Sequence, residues 1–174
     1  MYKRQGIEQN PVVYDLQFAL LTESGEIDLN RWLGDYIERR YSAYSDTLRK
    51  AWDILLSTCY RDSGYKENEV GSTLCARPLM DPKKTGPCDY TKLFYDPKQL
   101  EKALPLFLSV KEQFSASDGY QYDVCDLTRQ VLSNRFHTNQ ALFANAYAKK
   151  DSKAAERLAK EQMDLLADLD AFLG

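Results

Sequence analysis

The chain has 174 residues, which is enough for one compact domain with its own core and too few for two domains of usual size. Apolar residues make up 44% and charged residues 28%, as in ordinary globular domains, so extensive disorder is not expected. The net charge of -3, with scattered lysine and arginine, offers no basic surface for a nucleic acid, and no stretch approaches the roughly 20 apolar residues that span a membrane.

The first predicted helix follows Asn10, which is a favourable N-cap, and places Pro11 at its first position. Its apolar residues fall on two faces: Val13, Leu16 and Leu20 on one, and Tyr14, Phe18 and Leu21 on the other. Two apolar faces need two packing partners. Either the second partner is a protein surface outside this chain, or the helix is buried on all sides, and the periodicity leaves both interpretations open.

Four further helices are predicted along the chain. Apolar stripes with helical spacing are Leu29, Trp32, Leu33, Tyr36, Ile37; Leu48, Trp52, Leu55, Leu56, Cys59; Leu100, Ala103, Leu104, Phe107, Leu108; and Ala155, Leu158, Leu165, Leu169, Phe172. Asp96-Pro97 and Asp151 supply start signals for the last two, and Pro105 should kink the helix that contains it.

The longest helix is predicted from Tyr120 to about Lys150, entered through Ser117 or Asp118 as its cap. Between Asp62 and Tyr95 lies one long irregular segment that is rich in glycine and proline. No strand-like alternation of useful length occurs. The sequence therefore predicts an all-α fold, a bundle of about six helices with one long irregular loop.

The four cysteines, Cys59, Cys75, Cys88 and Cys125, contain no CxxC pair and, with a single histidine, make a poor zinc site. We therefore predict no metal and no cofactor. Cys59 and Cys125 lie in helical patterns and are expected to be small buried residues. Cys75 and Cys88 share the irregular loop, where one disulfide and four free thiols both remain open.

A polar stripe follows the longest helix, at steps of three and four residues: Asp123, Asp126, Gln130, Asn134 and His137. Such stripes are usually solvated faces, which is the favoured interpretation. The alternative is a pair of carboxylates one turn apart, Asp123 and Asp126, with Arg129 orienting one of them. His137 has no partner at a known catalytic spacing and is expected to be structural or exposed.

Arg77, held next to Pro78 in the irregular loop, is a weaker candidate for contact with a polar ligand.

Five motifs in this order resemble the C-terminal helical domain of the alpha-N-acetylglucosaminidases, glycoside hydrolase family 89. They are "GIEQNPVVYDL", "RRYS" followed by "AWDILLSTCY", "ARPLM", "YQYDVCDLTRQ" and "LLADLDAFL". The resemblance covers nearly the whole chain, from about Gly6 to Leu173. It implies a parent enzyme with a small N-terminal domain, a (β/α)8 barrel and this helical domain, with the sugar cleft between barrel and helices.

The reaction that the resemblance implies is removal of a terminal α-linked N-acetylglucosamine with retention, by two carboxyl groups and without a metal. The acid/base residue lies on the barrel. The nucleophilic glutamate precedes the Gly-Ile pair, a position that Gln5 occupies here, and an amide cannot form the ester intermediate. Glu8 is the weaker alternative, since a carboxylate at a helix start is favoured by the dipole alone. Asn10, Tyr14 and Arg77 are the residues expected to contact the sugar.

Residues 1–5 are accordingly expected to be a non-native or junction segment, and residues 6–174 the helical domain. The expected partners are the barrel of the parent and glycans that end in α-linked N-acetylglucosamine, with no nucleic acid and no membrane. The resemblance implies a parent that is exported to the periplasm, the exterior or the lysosome. The competing hypothesis is a helical binding or scaffold module that acts alone and has no catalytic activity.

Overall fold

The structure is a computed structural model, and it describes residues 11–22, 25–60, 74 and 93–174. These residues form helices and contain no β-strand, which confirms the predicted all-α class. The helices are α1 (Pro11–Thr22), α2 (Leu29–Tyr41), α3 (Asp46–Ser57), α4 (Pro97–Glu101), α5 (Ala103–Ser109), α6 (Lys111–Phe114), α7 (Asp118–Ala148) and α8 (Ser152–Leu173). No helix among the described residues is long and apolar enough to cross a membrane.

Side-chain caps fix where the helices begin. The Asp28 carboxylate accepts hydrogen bonds from the amides of Asn30 and Arg31, at 2.9 and 3.2 Å, and so opens α2. The carboxylates of Asp96 and Asp151 cap α4 and α8 in the same way. At α7 the cap is Ser117, whose Oγ accepts from the Tyr120 amide at 3.4 Å. The caps at Asp96, Ser117 and Asp151 agree with the cap signals predicted from the sequence, and the cap at Asp28 is an addition from the structure.

The predicted kink at Pro105 corresponds to an interruption at Lys102, whose backbone keeps right-handed helical angles, with φ of -64° and ψ of -19°. Helix α4 ends at Glu101 and α5 begins at Ala103, with Pro105 as its third residue. Because proline has no amide hydrogen, it cannot donate to the carbonyl four residues earlier, which belongs to Glu101. The Lys102 amide turns back instead to the Gln99 carbonyl, at 3.1 Å, and closes α4. The stripe from Leu100 is therefore carried by separate short helices.

The described residues form two compact units, one of residues 11–22, 25–60 and 94–128 and one of residues 74, 93 and 129–174. In the first unit, the core is an aromatic cluster on α2, α3 and α5. Trp52 is fully buried, and its ring centroid lies 5.5 Å from that of Tyr36 and 6.4 Å from that of Phe107. Tyr36 also stacks on Trp32 at 5.3 Å. A further ring contact, between Tyr41 and Tyr120 with centroids 6.3 Å apart, places the C-terminal turn of α2 beside the first turn of α7.

Most inward positions of the predicted apolar stripes are buried, and a few positions are not. The buried positions are Trp32, Leu33, Tyr36, Ile37, Leu48, Trp52, Leu100, Ala103, Phe107 and Leu158. Leu29, Leu108 and Phe172, which were placed in these stripes, are exposed, as is Leu20 of the stripe predicted on the first helix. Each of these four residues lies within the first or last turn of its helix.

In the second unit, α7 and α8 form a helical hairpin. The turn ends α7 with two hydrogen bonds, from the Asp151 amide to the Ala146 carbonyl and from the Lys150 amide to the Tyr147 carbonyl, both at 3.0 Å. This is the Schellman arrangement, in which the residue at C′ takes a left-handed conformation. Lys150 holds that place with φ of 58°, where glycine is usual.

Candidate functional site

The sequence-predicted sugar contacts are only partly within the described residues. Gln5, Glu8, Asn10 and Arg77 lie outside them, as do Cys75 and Cys88. Tyr14 is described and lies on α1 with 59% of its surface exposed, so it is accessible to a ligand. Cys59 and Cys125 are half-buried, not fully buried as expected, and the Cys59 thiol donates to the Leu55 carbonyl at 3.5 Å.

The polar stripe on α7 is not a solvated face, and the favoured prediction is wrong on this point. Asp123 and Asn134 are each only 3% exposed, while Asp126, Gln130 and His137 are half-buried. A buried carboxylate is costly unless it is paired and hydrogen-bonded. The question is therefore what pairs with Asp123.

Asp123 is held by the C-terminal turn of α2. Arg40 donates from Nε to Oδ2 at 2.5 Å and from Nη2 to Oδ1 at 2.9 Å, a bidentate pair. The Tyr41 hydroxyl donates to Oδ2 at 2.7 Å, and that hydroxyl in turn accepts from the Trp52 indole Nε1 at 2.9 Å. We call these four residues the Arg40–Asp123 network. Three hydrogen bonds to one carboxylate join α2 to α7, and the bond from Trp52 to the Tyr41 hydroxyl adds α3.

Aromatic rings cover the Arg40 guanidinium. Its carbon lies 5.8 Å from the ring centroid of Tyr36 and 5.6 Å from that of Tyr122, so the cation interacts with both aromatic rings. The backbone also fits closely here, because a Cβ on Gly119 would lie 2.8 Å from the Arg40 carbonyl oxygen. Glycine at 119 is what allows α7 to begin this close to the end of α2.

The network raises the pKa of Arg40 and of Tyr41. Burial alone would lower the pKa of Arg40, but the hydrogen bond and the negative charge of Asp123 outweigh burial and raise it. Burial, with Asp123 second, raises the pKa of Tyr41 and keeps its hydroxyl a donor. The Asp123 carboxylate accepts three hydrogen bonds from Arg40 and Tyr41 and is only 3% exposed, so it is not accessible to a substrate. Asp123 is therefore structural. It is not available for the alternative prediction, a catalytic pair of Asp123 and Asp126.

Sequence reasoning missed Arg40 and assigned the orienting role to Arg129, on the same helix as Asp123. The actual partner lies 83 positions away in the chain. The available signal was the adjacency of Arg40 and Tyr41, a cation and a hydroxyl donor at the end of a predicted amphipathic helix. No rule of local spacing connects that pair with α7.

The second unit has polar contacts of a different kind. Between α7 and α8, Asn139 donates to Glu161 at 3.0 Å and Gln162 donates to Gln140 at 2.6 Å. These bonds fix the register of the hairpin. Burial lowers the pKa of His137, so this side chain favours the neutral form, in keeping with its expected structural role.

An open cavity of about 500 Å³ lies at the α7–α8 turn. Its walls are mostly apolar and are formed by Tyr147, Ala148, Lys150, Asp151, Ser152 and Ala155. Asp151 is engaged in capping α8, and none of the predicted sugar contacts lines this cavity. Across the described part of the chain, no three histidine, cysteine or acidic side chains come together as metal ligands would.

These observations define an all-α domain in which a buried arginine–carboxylate pair fixes one end of a long helix. The model of the alpha-N-acetylglucosaminidase (NAGLU) C-terminal domain family matches residues 32–174, so the chain belongs to this family. The resemblance found in the sequence motifs is thereby confirmed.

Known proteins agree with this assignment. The human alpha-N-acetylglucosaminidase is 28% identical over 149 residues, which are 84% of this chain and 19% of that protein. A family 89 enzyme from Clostridium perfringens, solved as a variant with two glutamates changed to glutamine and with its substrate GlcNAc-α-1,4-galactose bound, matches with a TM-score of 0.84 and 29% identity. The match covers 92% of this chain and 18% of that one. The same enzyme solved with PUGNAc matches with a TM-score of 0.83, 29% identity and coverage of 91% and 18%. The chain thus spans about a fifth of the length of these relatives.

Proposed function

We propose that this chain acts as the C-terminal helical domain of a retaining exo-alpha-N-acetylglucosaminidase and forms one wall of the sugar cleft, beside a (β/α)8 barrel. The observation that carries the proposal is the family match over residues 32–174, together with a structural relative captured with an α-linked N-acetylglucosamine disaccharide. The substrate class is accordingly a glycan that ends in α-linked N-acetylglucosamine.

The chemistry divides between this chain and the barrel. Retention needs two carboxyl groups about 5 to 5.5 Å apart, one acting as nucleophile and the other as acid and base. Within the described residues the buried carboxylate is Asp123, and Arg40 and Tyr41 already engage it. We infer that the acid/base comes from the barrel and that the nucleophile belongs at position 5, where this chain has Gln5. Glu8 remains the weaker candidate.

The sugar contacts from this chain would come from the start of α1 and from the irregular loop. Asn10 and Tyr14 are one helical turn apart, which places a polar cap residue and an aromatic ring on one side of the helix. The exposed Tyr14 ring can stack on the apolar face of a sugar while its hydroxyl reaches a polar group. Arg77 would supply a donor from the loop.

The Arg40–Asp123 network would contribute indirectly. It fixes α2 against the first turns of α7, and Tyr36 of α2 packs within the same aromatic cluster. We infer that this rigid unit supports the elements that carry the sugar contacts, as catalytic and binding residues require.

The isolated chain should fold and remain inactive. We expect a helical circular dichroism spectrum, cooperative unfolding and no release of nitrophenol from a nitrophenyl α-N-acetylglucosaminide, because Gln5 cannot act as the nucleophile and the barrel is absent. Turnover that is clearly above a buffer blank, and that persists after repurification, would show that the chain carries a complete catalytic site of its own.

One observation favours the alternative function, a helical binding module that acts alone. Position 5 carries an amide side chain and not a carboxylate. The DNA upstream of the codon for Met1 distinguishes the two functions. An open frame that encodes barrel strands supports the glycosidase domain, and a stop codon followed by a start signal supports the binding module.

A further inference from the structure

The cavity at the turn between α7 and α8 has the size of a ligand site, and the proposed function makes no use of it. Its volume of about 500 Å³ falls within the usual range for small-molecule sites, roughly 300 to 1,000 Å³. Most of its wall is apolar. The chemistry of the side chains in the wall indicates which kind of ligand the cavity accepts.

Tyr147 gives the cavity a flat apolar wall. This residue is 60% exposed, so its ring is accessible to a ligand. The ring also contacts that of Phe143, one turn earlier on α7, with centroids 6.4 Å apart, and this contact restricts its rotation before a ligand binds. The methyl groups of Ala148 and Ala155 extend the apolar wall. A ligand with an aromatic body suits such a wall, because aromatic rings pack favourably on one another.

Lys150 brings a positive charge to the cavity from an unfavourable backbone conformation. Its φ of 58° lies in the left-handed region, where glycine is usual at the end of a helix. Glycine would make the more stable turn, since a side chain strains the backbone in this region. Strained residues concentrate at functional sites, so the strain indicates a use for the lysine side chain. The flexible four-carbon stem allows the ammonium group to reach an anion in the cavity.

The charge around the cavity also favours an anion. The chain as a whole has a net charge of -3, but residues 149–153 contain one acid, Asp151, and three exposed lysines: Lys149, Lys150 and Lys153. The Asp151 carboxylate accepts from the Ala154 amide at 3.0 Å and is thus engaged in capping α8. The Ser152 hydroxyl, also in the wall, can donate to a second oxygen of a bound anion. Local positive charge of this kind attracts an anionic ligand.

From these observations we propose that the cavity binds a small aromatic carboxylate, with the ring of the ligand against Tyr147 and its carboxylate paired with Lys150. A sugar suits the cavity less well, because it carries a hydroxyl on most of its carbons and a largely apolar wall leaves those groups unpaired. The inference does not rest on the proposed function, since it uses none of the residues assigned to the sugar or to the nucleophile.

Binding of 2-naphthoate to the complete chain tests the proposal. Nuclear magnetic resonance of the isotope-labelled chain follows its amide signals, and we expect saturable shifts centred on residues 147–155. Two further probes divide the ligand into its parts: 2-naphthalenemethanol has the ring without the charge, and acetate has the charge without the ring. Each should bind at least about fivefold more weakly than 2-naphthoate. The absence of saturable shifts with 2-naphthoate, or equal affinity for either of the other two probes, would overturn the proposal.

The variant Lys150→Gly separates binding from stability. We expect it to raise the melting temperature, because glycine takes the left-handed conformation without strain, and to weaken 2-naphthoate binding at least about threefold. A residue that only holds the turn together would not show this combination. Unchanged affinity in Lys150→Gly would overturn the proposal, and a melting temperature no higher than that of the unchanged chain would count against it.

Two more variants test the aromatic wall and the specificity of the effect. Tyr147→Leu keeps an apolar side chain but removes the ring, so it should also weaken 2-naphthoate binding at least about threefold. The matched control is Lys160→Gln, an exposed lysine on α8 that does not line the cavity, and its affinity should equal that of the unchanged chain. A loss in Lys160→Gln as large as in Lys150→Gly would show attraction by overall charge and would overturn the assignment of the site.

Discussion

Changing Gln5 to glutamate should raise turnover by several powers of ten in a hybrid that joins this chain, from residue 5 onward, to the remainder of the Clostridium perfringens enzyme, because position 5 is the proposed place of the nucleophile. A glutamate carboxylate can attack the anomeric carbon and form the glycosyl ester, and the glutamine amide cannot. The measurement is release of nitrophenol from a nitrophenyl α-N-acetylglucosaminide by the Gln5 hybrid and by its Gln5→Glu variant.

The matched control is Glu8→Gln in the Gln5→Glu hybrid, which removes the other carboxylate of this segment. We expect Glu8→Gln to reduce activity far less than a glutamine at position 5 does. The helix dipole alone accounts for a carboxylate at position 8. A Gln5 hybrid that turns over substrate, and loses that activity with Glu8→Gln, would show that Glu8 is the nucleophile.

The second large effect concerns stability. Asp123→Asn should lower the free energy of unfolding by about 3 kcal/mol, because it keeps the volume of the side chain but leaves the nearly buried Arg40 without its counter-charge. Urea unfolding followed by circular dichroism measures the change. The control is Asp35→Asn, an exposed carboxylate on α2, which should change stability by no more than about 0.5 kcal/mol.

A double variant separates the cost of an unpaired charge from the value of the pair. Arg40→Met with Asp123→Leu removes both charges and keeps apolar volume at each position, so it should be more stable than Asp123→Asn alone. If Asp123→Asn matched the Asp35→Asn control, the carboxylate would not be the element that holds α2 against α7.

The helix boundaries were predictable because they depend on neighbouring residues. Asp28, Asp96, Ser117 and Asp151 each cap the helix that follows, and a cap acts within three positions of itself. The disruption caused by Pro105 was predictable for the same reason, because the carbonyl that it leaves without a donor lies four residues before it. Apolar spacing identified the buried side of α2 and α3, since the pattern and the buried face share one period.

The buried network was not predictable from local rules. Whether Asp123 is solvated or buried depends on Arg40 and Tyr41, which come from another helix more than eighty positions away. The sequence pattern of a polar stripe is the same whether that helix face is solvated or buried. The exposed ends of the stripes, such as Leu29 and Leu108, were missed because exposure there depends on where the neighbouring helix stops.

The sequence left open whether α1 is buried on all sides or has one apolar face that this chain does not cover. Its sequence shows two apolar faces, but only the exposure of Phe18 and Leu21 shows that one face is uncovered. The proposed sugar chemistry was inferred from the motif resemblance and not from the spacing of residues. In that proposal, a single helical domain carries only part of the cleft.

The activity of a hybrid joined at Gly6 tests the central claim most directly. The hybrid consists of the Clostridium perfringens enzyme up to and including the residue that corresponds to position 5 of this chain, followed by residues 6–174 of this chain. We predict that it hydrolyses a nitrophenyl α-N-acetylglucosaminide, whereas the same enzyme without a C-terminal domain, and this chain alone, do not. A hybrid that unfolds as one cooperative protein, and yet shows no turnover above the truncated enzyme, would contradict the assignment of this chain to the sugar cleft.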